Sequence, residues 1–496
     1  MDLSIGLYLL LAIATLVVWY VKKSFSFWSD LGVTQFPVSF PRGNFVGVGI
    51  VRNFSEVMLE YYEKTKQAGV KFSGIYSFTR PLFLATDLEL VKSILVRDFN
   101  VFPNRGVYFN EKHDPISAHI FNLENEPWRN LRQKLSPTFT SGKLKMMYGT
   151  IHDATEKLLE TIGKQVSETG QLEVKDVLAR FTTDIIGTTA FGIDCNSLEN
   201  KDSKFYVMGC RIFTQVPTQF VRFLTGTFKG LSRKLGVVLT DKEVSDFYMQ
   251  ITKETVEYRE KNPQIKRQDF MSLLVDMKKS NILTVEQIAA QSFVFYLAGF
   301  ETSSSTMTYC MYELSINEEI QEKVRRSVKK VLEKHNNELT YEAVNDMDYL
   351  EQCVSETLRK YPVVPVLIRT PVKAYKIPGT NIVIPKNQPV LIPVQAIQMD
   401  PEIYPEPEKY DPDRFEPEEI KKRHQFSYLP FGEGPRICIG MRFGLLEAKI
   451  GLARILLNYK FKLDRSKTSV PLKMMPKSFV LSPTESIFLN VEKISN

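Results

Sequence analysis

The sequence predicts a mainly α-helical fold with a minor β component, built as one large domain behind an N-terminal apolar helix. Three observations carry this. The C-terminal half holds the clearest helical patterns, the strand-like pieces are few and short, and no Gly/Ser linker, repeat or low-complexity tract divides residues 46–496. With 496 residues, 43% of them apolar and 33 of them Phe, the chain can bury a large core.

The elements follow in order. Leu3 to Val21 is a run of nineteen residues without a charge, closed by Trp19-Tyr20 and Lys22-Lys23. At the helical rise it spans about 28 Å, close to the hydrocarbon thickness of a bilayer. Only Asp2 is charged ahead of it, which does not suit a cleaved signal peptide. Residues 1–21 are therefore expected to be a retained transmembrane anchor, with the lysines and everything after them in the cytosol. On that topology the Asn53-Phe54-Ser55 sequon carries no glycan. Residues 22–45, with FPVSFPRGN at 36–44, read as a basic, proline-stiffened hinge. KFSGIYSF (71–78) and NIVIPKNQPVLIP (381–393) read as strands.

The longest helix is expected to start at Thr284, with Gln287 three residues on in capping-box spacing. Apolar residues occur all round it, so its middle is buried. There stands AGFETSSS (298–305), joining a glycine, costly inside a helix by about 1 kcal/mol, to a carboxylate that is costly to bury unpaired. Glu301 and Thr302 suit holding water and passing protons. A helix packed through Gly299, with Glu301 in a polar crevice, is the competing reading. In SETLRKYP (355–362), Glu356 and Arg359 share a helical face, which on its own is an ordinary ion pair. In ENEPWRNLRQKL (124–135), Trp128 and Arg132 share a face and suit either an anion or simple packing.

The five cysteines, at 195, 210, 310, 353 and 438, are odd in number and form no C-x-x-C. This excludes a disulfide scaffold and a structural zinc site. The net charge of +7 is modest and diffuse, and no aromatic-basic motif argues for nucleic acid. Cys438 stands apart, in FGEGPRICIG (431–440) at the head of an apolar run.

Taken together and in this order, the motifs from about residue 30 onward resemble the cytochrome P450 family of haem-thiolate monooxygenases. Phe431-x-x-Gly434-x-Arg436-x-Cys438-x-Gly440 matches the family's haem loop at every fixed position. Ala298-Gly299-x-Glu301-Thr302 matches its oxygen-groove motif, and Glu356-x-x-Arg359 its buried pair. Pro412-Asp413-Arg414-Phe415 matches the segment that supplies the third member, with Asp where Glu is common. Trp128-x-x-x-Arg132 completes the set.

The resemblance implies the P450 fold and haem b (iron protoporphyrin IX), with Cys438 as its axial thiolate. Phe431 would shield the ligand, and Gly434 and Gly440 would let backbone N–H groups reach the sulfur. Arg436, Arg132, Trp128 and Arg369 would meet the propionates, and Glu356, Arg359 and Arg414 would be structural. Ala298 and Gly299 would leave room for O2, with Thr302 and Glu301 supporting proton delivery. Electrons would come from NADPH through NADPH-cytochrome P450 reductase, with cytochrome b5 as a further partner. The reductase's acidic face would meet Arg129, Lys134, Lys143, Lys145 and Lys421-Lys422-Arg423. A haem-thiolate isomerase or dehydratase, or a non-catalytic haem or ligand-binding protein, is the alternative, and neither needs the Glu301–Thr302 pair.

Residues 205–240 hold five basic side chains, five phenylalanines and no acid, a composition suited to a membrane interface. They coincide with the family's lid. Phe109, Phe121, Phe295, Val364, Val366 and Phe479 fall near its usual pocket-lining regions and imply an apolar pocket for small lipophilic substrates. The texture most resembles insect microsomal members that oxidise plant toxins and insecticides at the endoplasmic reticulum membrane.

Overall fold

The computed structural model describes residues 3–494 other than 216, 265, 266 and 268. Asp2, and Val216 within the expected lid, lie outside the described residues. Helices take 57% of the residues and strands 10%, a mainly α fold with a minor β component.

The uncharged run forms α1 (Leu3–Phe25), long and apolar enough to cross a membrane and unburied by the rest of the chain. The body begins almost at once. The Phe25 carbonyl accepts from Gln35 Nε2 at 2.9 Å and from Tyr76 Oη at 3.1 Å. Trp28 is fully buried, its ring filling the space that Gly74 leaves open, where a Cβ would lie 2.1 Å away. The proline segment is likewise held: Asn44 exchanges backbone and side-chain bonds with Tyr76, and its amide reaches Pro37 O and Tyr61 Oη. Asn53 is 1% exposed, caps the next helix and donates to Met475 O and Ser478 O. Its amide is sequestered, which bars glycosylation of the folded chain whatever the topology.

The strand at 71–78 forms as β1 (Phe72–Ser77), paired with β2 (Arg80–Ala85). With β3 (Leu367–Arg369) and β4 (Val390–Ile392) these make a sheet ordered β1-β2-β4-β3. The β2–β4 pair alone is parallel. The stretch 381–393 yields only Val383–Ile384 and β4, because Pro385 and Pro389 interrupt it. A second sheet joins 171–173, 459–463 and 488–493.

Seven further helices position the site: α2 (Asn125–Leu135), α3 (Val174–Ile186), α4 (Gln219–Thr227), α5 (Lys229–Lys234), α6 (Val285–Ile316), α7 (Asp348–Lys360) and α8 (Met441–Asn458). Thr284 caps α6 through the expected box with Gln287. At 32 residues, α6 is the longest described helix, and its middle is buried between α3 and α8. Gly299 abuts Ile186 of α3, where a Cβ would meet Cδ1 at 2.3 Å. Across the helix, Gly444 of α8 lies beside Ser303. The main core surrounds α6, and a separate one lies between Trp28 and the first sheet.

Candidate active site

Cys438 sits in the loop between the Gly434–Arg436 turn and α8. Its N–H donates to Phe431 O at 2.9 Å, which closes the loop. Gly434 has φ +74°, and a Cβ there would lie 2.1 Å from Leu95 O, so only glycine fits. A Cβ at Gly440 would meet no protein atom within 4 Å. Its contribution is the N–H, which with that of Met441 points at the sulfur. Burial pushes the thiol pKa up, and the Gly440 N–H, Arg132, Arg105 and the Met441 N–H pull it back in part. Cys438 is exposed although it lies deep in the fold, so its sulfur faces an internal chamber.

The facing wall is α6, joined to α8 where Ser303 meets Gly444. Ala298 is exposed in the middle of an otherwise buried helix, and Thr302, one turn on, is half-buried. Thr302 Oγ1 donates to Ala298 O at 2.5 Å. Glu301 turns away from this edge. It is 6% exposed, accepts from Lys175 Nζ at 2.9 Å and from Ser305 Oγ at 3.0 Å, and Lys175 also donates to Ser304 and Ser305. Gly299 is occupied by its packing on Ile186, so the open volume beside α6 comes from Ala298.

Four guanidinium groups gather on the Cys438 side. Arg105, Arg132, Arg369 and Arg436 act on one another electrostatically, and burial lowers the pKa of each, to about 10 for Arg369 and about 9 for Arg436. Among the described residues none forms an ion pair with a carboxylate, and Arg369 Nε has no hydrogen-bond partner. Arg436 is the best satisfied. It donates to Pro103 O, Ile120 O and Leu123 O and lies 3.8 Å over the Trp128 ring. Backbone carbonyls satisfy part of this cluster but leave its charge unpaired, so an anion beside it would stabilise it.

The sequence profile described as Cytochrome P450 matches residues 37–491. The chain belongs to the cytochrome P450 family. Among curated proteins it is similar to Cytochrome P450 6a8 of Drosophila melanogaster, 43% identical over 97% of this chain and 98% of that one. Probable cytochrome P450 6a13 of the same fly is 45% identical, over 95% and 96%. Cytochrome P450 6A1 of Musca domestica is 41% identical, over 99% and 98%.

The chain is a P450 monooxygenase, a class that uses haem and O2 with electrons from NADPH through a reductase. The residues present fit haem. A thiol with two backbone N–H groups aimed at it suits an iron ligand, and four uncompensated arginines with a buried Trp128 suit two propionates. Arg105 and Lys175 were not singled out from sequence. Their partners lie far along the chain, and neither carries a motif.

The buried charge pair is complete. Glu356 and Arg359 are both fully buried and joined at 2.7 and 2.8 Å, and Arg414 Nε stands 3.6 Å from Glu356. The six expected pocket residues have separate nearest neighbours. Phe121 lies 4.1 Å from the Arg105 guanidinium, Phe109 lies under Arg233, and Phe479 is exposed beside Arg222. Val364 is half-buried. Phe295 packs on Phe139 and Phe270, and Val366 sits in an apolar cluster with Phe45 and Val57.

Proposed function

We propose that this P450 oxidises small lipophilic compounds, plant toxins and insecticides among them, that enter from the endoplasmic reticulum membrane. The carrying observation is the lid. Phe220, Leu224, Phe228, Leu231 and Leu235 are all exposed on a chain that also bears α1. Similarity to the insect relatives supports the substrate class. On this reading α1 holds the enzyme in the bilayer with its body in the cytosol, in reach of NADPH-cytochrome P450 reductase and cytochrome b5.

Cys438 would ligate the iron, and Arg105, Arg132, Arg369, Arg436 and Trp128 would meet the propionates. Bound there, haem supplies reductive activation of O2, one oxygen atom going to substrate and the other to water. Phe431 and Gly434 keep the thiol loop closed, and the Gly440 N–H tempers the charge on sulfur. Ala298 leaves the open edge of α6. Thr302 Oγ1 is the hydroxyl on that edge and passes a proton toward it. Glu301 resupplies that proton after exchanging Lys175 for solvent. Glu356, Arg359 and Arg414 hold the framework.

The test is oxygen uptake and product formation with purified reductase, NADPH and a lipophilic panel, alongside the ferrous–CO spectrum. Thiolate-type CO binding with substrate-stimulated, NADPH-dependent product is expected. No turnover of any compound in the presence of that spectrum would sink the reading.

A further inference from the structure

His119 lies in the loop that joins the Pro115–Ser117 turn to α2, and that loop is pinned on both sides. On the α6 side, the Ile120 N–H donates to Gln291 Oε1 at 2.9 Å. On the Cys438 side, Arg436 donates to Ile120 O and Leu123 O, and Arg105 to Phe121 O. The loop therefore bridges α6 and the arginine cluster. Arg105 keeps accessible surface although it lies deep in the fold, so it borders the same internal chamber as Cys438, and the Phe121 ring rests on it. Gln291 and Ala298 are seven residues apart, two turns on one face of α6, which sets the loop about 10 Å along the helix from the open edge.

His119 itself is 6% exposed, between the rings of Phe121 and Phe293, with centres 6.4 and 6.2 Å away. Burial and the charge of Arg105 hold its pKa down at about 3, so the imidazole is neutral and carries a single N–H. The Asn122 amide decides which nitrogen has it. Asn122 Nδ2 donates to Ser117 O at 3.0 Å, which fixes the amide's orientation, and stands 3.3 Å from His119 Nε2. Nε2 is then the acceptor, and Nδ1 bears the hydrogen. Among the described residues Nδ1 has no hydrogen-bond partner. The His119 carbonyl is no outlet, since it already accepts from the N–H groups of Asn122 and Leu123 at 2.9 Å each. A buried donor left in this state is costly.

We propose that the His119 Nδ1–H binds an uncharged acceptor oxygen of the substrate, a carbonyl above all, held beside Phe121 and Phe293. This rests on the monooxygenase reading and narrows its substrate class to lipophilic compounds that carry such an oxygen away from the oxidised carbon. A hydrocarbon of the same shape leaves the donor unpaired and is disfavoured. The rival occupant is a buried water, which would serve both kinds of compound alike.

The test uses the full-length haem-loaded enzyme with two matched pairs, fluorenone with fluorene and benzophenone with diphenylmethane. Dissociation constants are read by equilibrium dialysis and from the Soret shift, and the C=O stretch of each bound ketone by infrared difference against its isotope-labelled form. Wild type should bind the ketones more tightly than the hydrocarbons and lower their stretch relative to an apolar solvent. His119→Phe should weaken the ketones about 3- to 30-fold, leave the hydrocarbons within about twofold and abolish the infrared shift. His119→Asn returns an N–H near the Nδ1 position and should restore part of both. No ketone preference in wild type, or an unshifted stretch there, overturns the proposal without any variant. Equal weakening of ketone and hydrocarbon in His119→Phe would assign the imidazole to packing and sink it as well. A lowered stretch that survives in His119→Phe would give the donor to water, against the proposal. Ketone-selective, His119-dependent binding without NADPH- and reductase-supported turnover would defeat the monooxygenase reading instead and leave this one standing.

Discussion

Thr302 and Glu447 carry the sharpest expectations at the level of single residues. Thr302 is the hydroxyl on the open edge of α6, bonded to Ala298 O. Thr302→Ala should leave NADPH consumption running while peroxide rises and product falls; unchanged coupling would remove Thr302 from the relay. Glu447 of α8 is fully buried, both its oxygens lack a hydrogen-bond partner, and burial pushes its pKa up to about 8 despite nearby Ser303. In the folded chain it keeps its proton at pH 7, whereas an unfolded Glu loses it above about 4.5. The folded state therefore binds more protons between those values, and its stability falls as pH rises through that window. Glu447→Gln should be more stable than wild type by about 1–3 kcal/mol at neutral pH, with the gap closing below pH 4.5 in denaturant titrations. The motifs holding Cys438, Glu301 and Thr302 could be singled out because they are local in sequence, but the structure puts Glu301 in the polar crevice of the competing reading, against Lys175 and Ser305. Lys175 itself could not be singled out, since 126 positions separate it from Glu301 and only folding joins them.

Among the elements, helix starts were easier to read than helix contacts. Thr284 and Gln287 spell out their cap within four residues, but nothing in AGFETSSS says which neighbour uses the glycine. The structure assigns Gly299 to Ile186. Gly299→Ala should cost about 1–3 kcal/mol of overpacking in chemical unfolding, and Ile186→Val should recover part of it. If the loss persists in the double variant, the α3–α6 contact is not its cause. Strands were read too long at 381–393, since apolar content reports burial while Pro385 and Pro389 decide where pairing stops.

For the molecule as a whole, the buried Glu356–Arg359 pair ties α7 to the segment 398–411: Arg359 donates to Gln398 O and Pro407 O, and the Asp411 N–H donates to Glu356. Glu356→Ala strands a fully buried guanidinium and should cost about 3–5 kcal/mol, seen as low haem content per polypeptide with little change in turnover per haem. Surface charge was only coarsely legible, because sequence lists cations without their partners. Lys145 pairs with Glu342, Lys421 with Glu418 and Lys422 with Glu419, while Arg423 stacks on Tyr404 and Phe415. Lys134 and Lys143 are exposed without such partners among the described residues. Lys134→Glu with Lys143→Glu should therefore raise the reductase concentration needed for half-maximal turnover more than the same change at 421 and 422, and the difference should shrink in high salt.

The short stretch from Phe25 to Trp28 leaves no slack between α1 and the body. Phe25 is tied to Gln35 and Tyr76, and Trp28 is locked against Gly74, so the lever arm is almost zero. On the proposed anchoring by α1, the tilt of the body and its height above the lipid would be set by the body's own geometry, as a keel sets a hull. Lengthening that joint by a few glycines would free both at once while leaving the catalytic groups untouched.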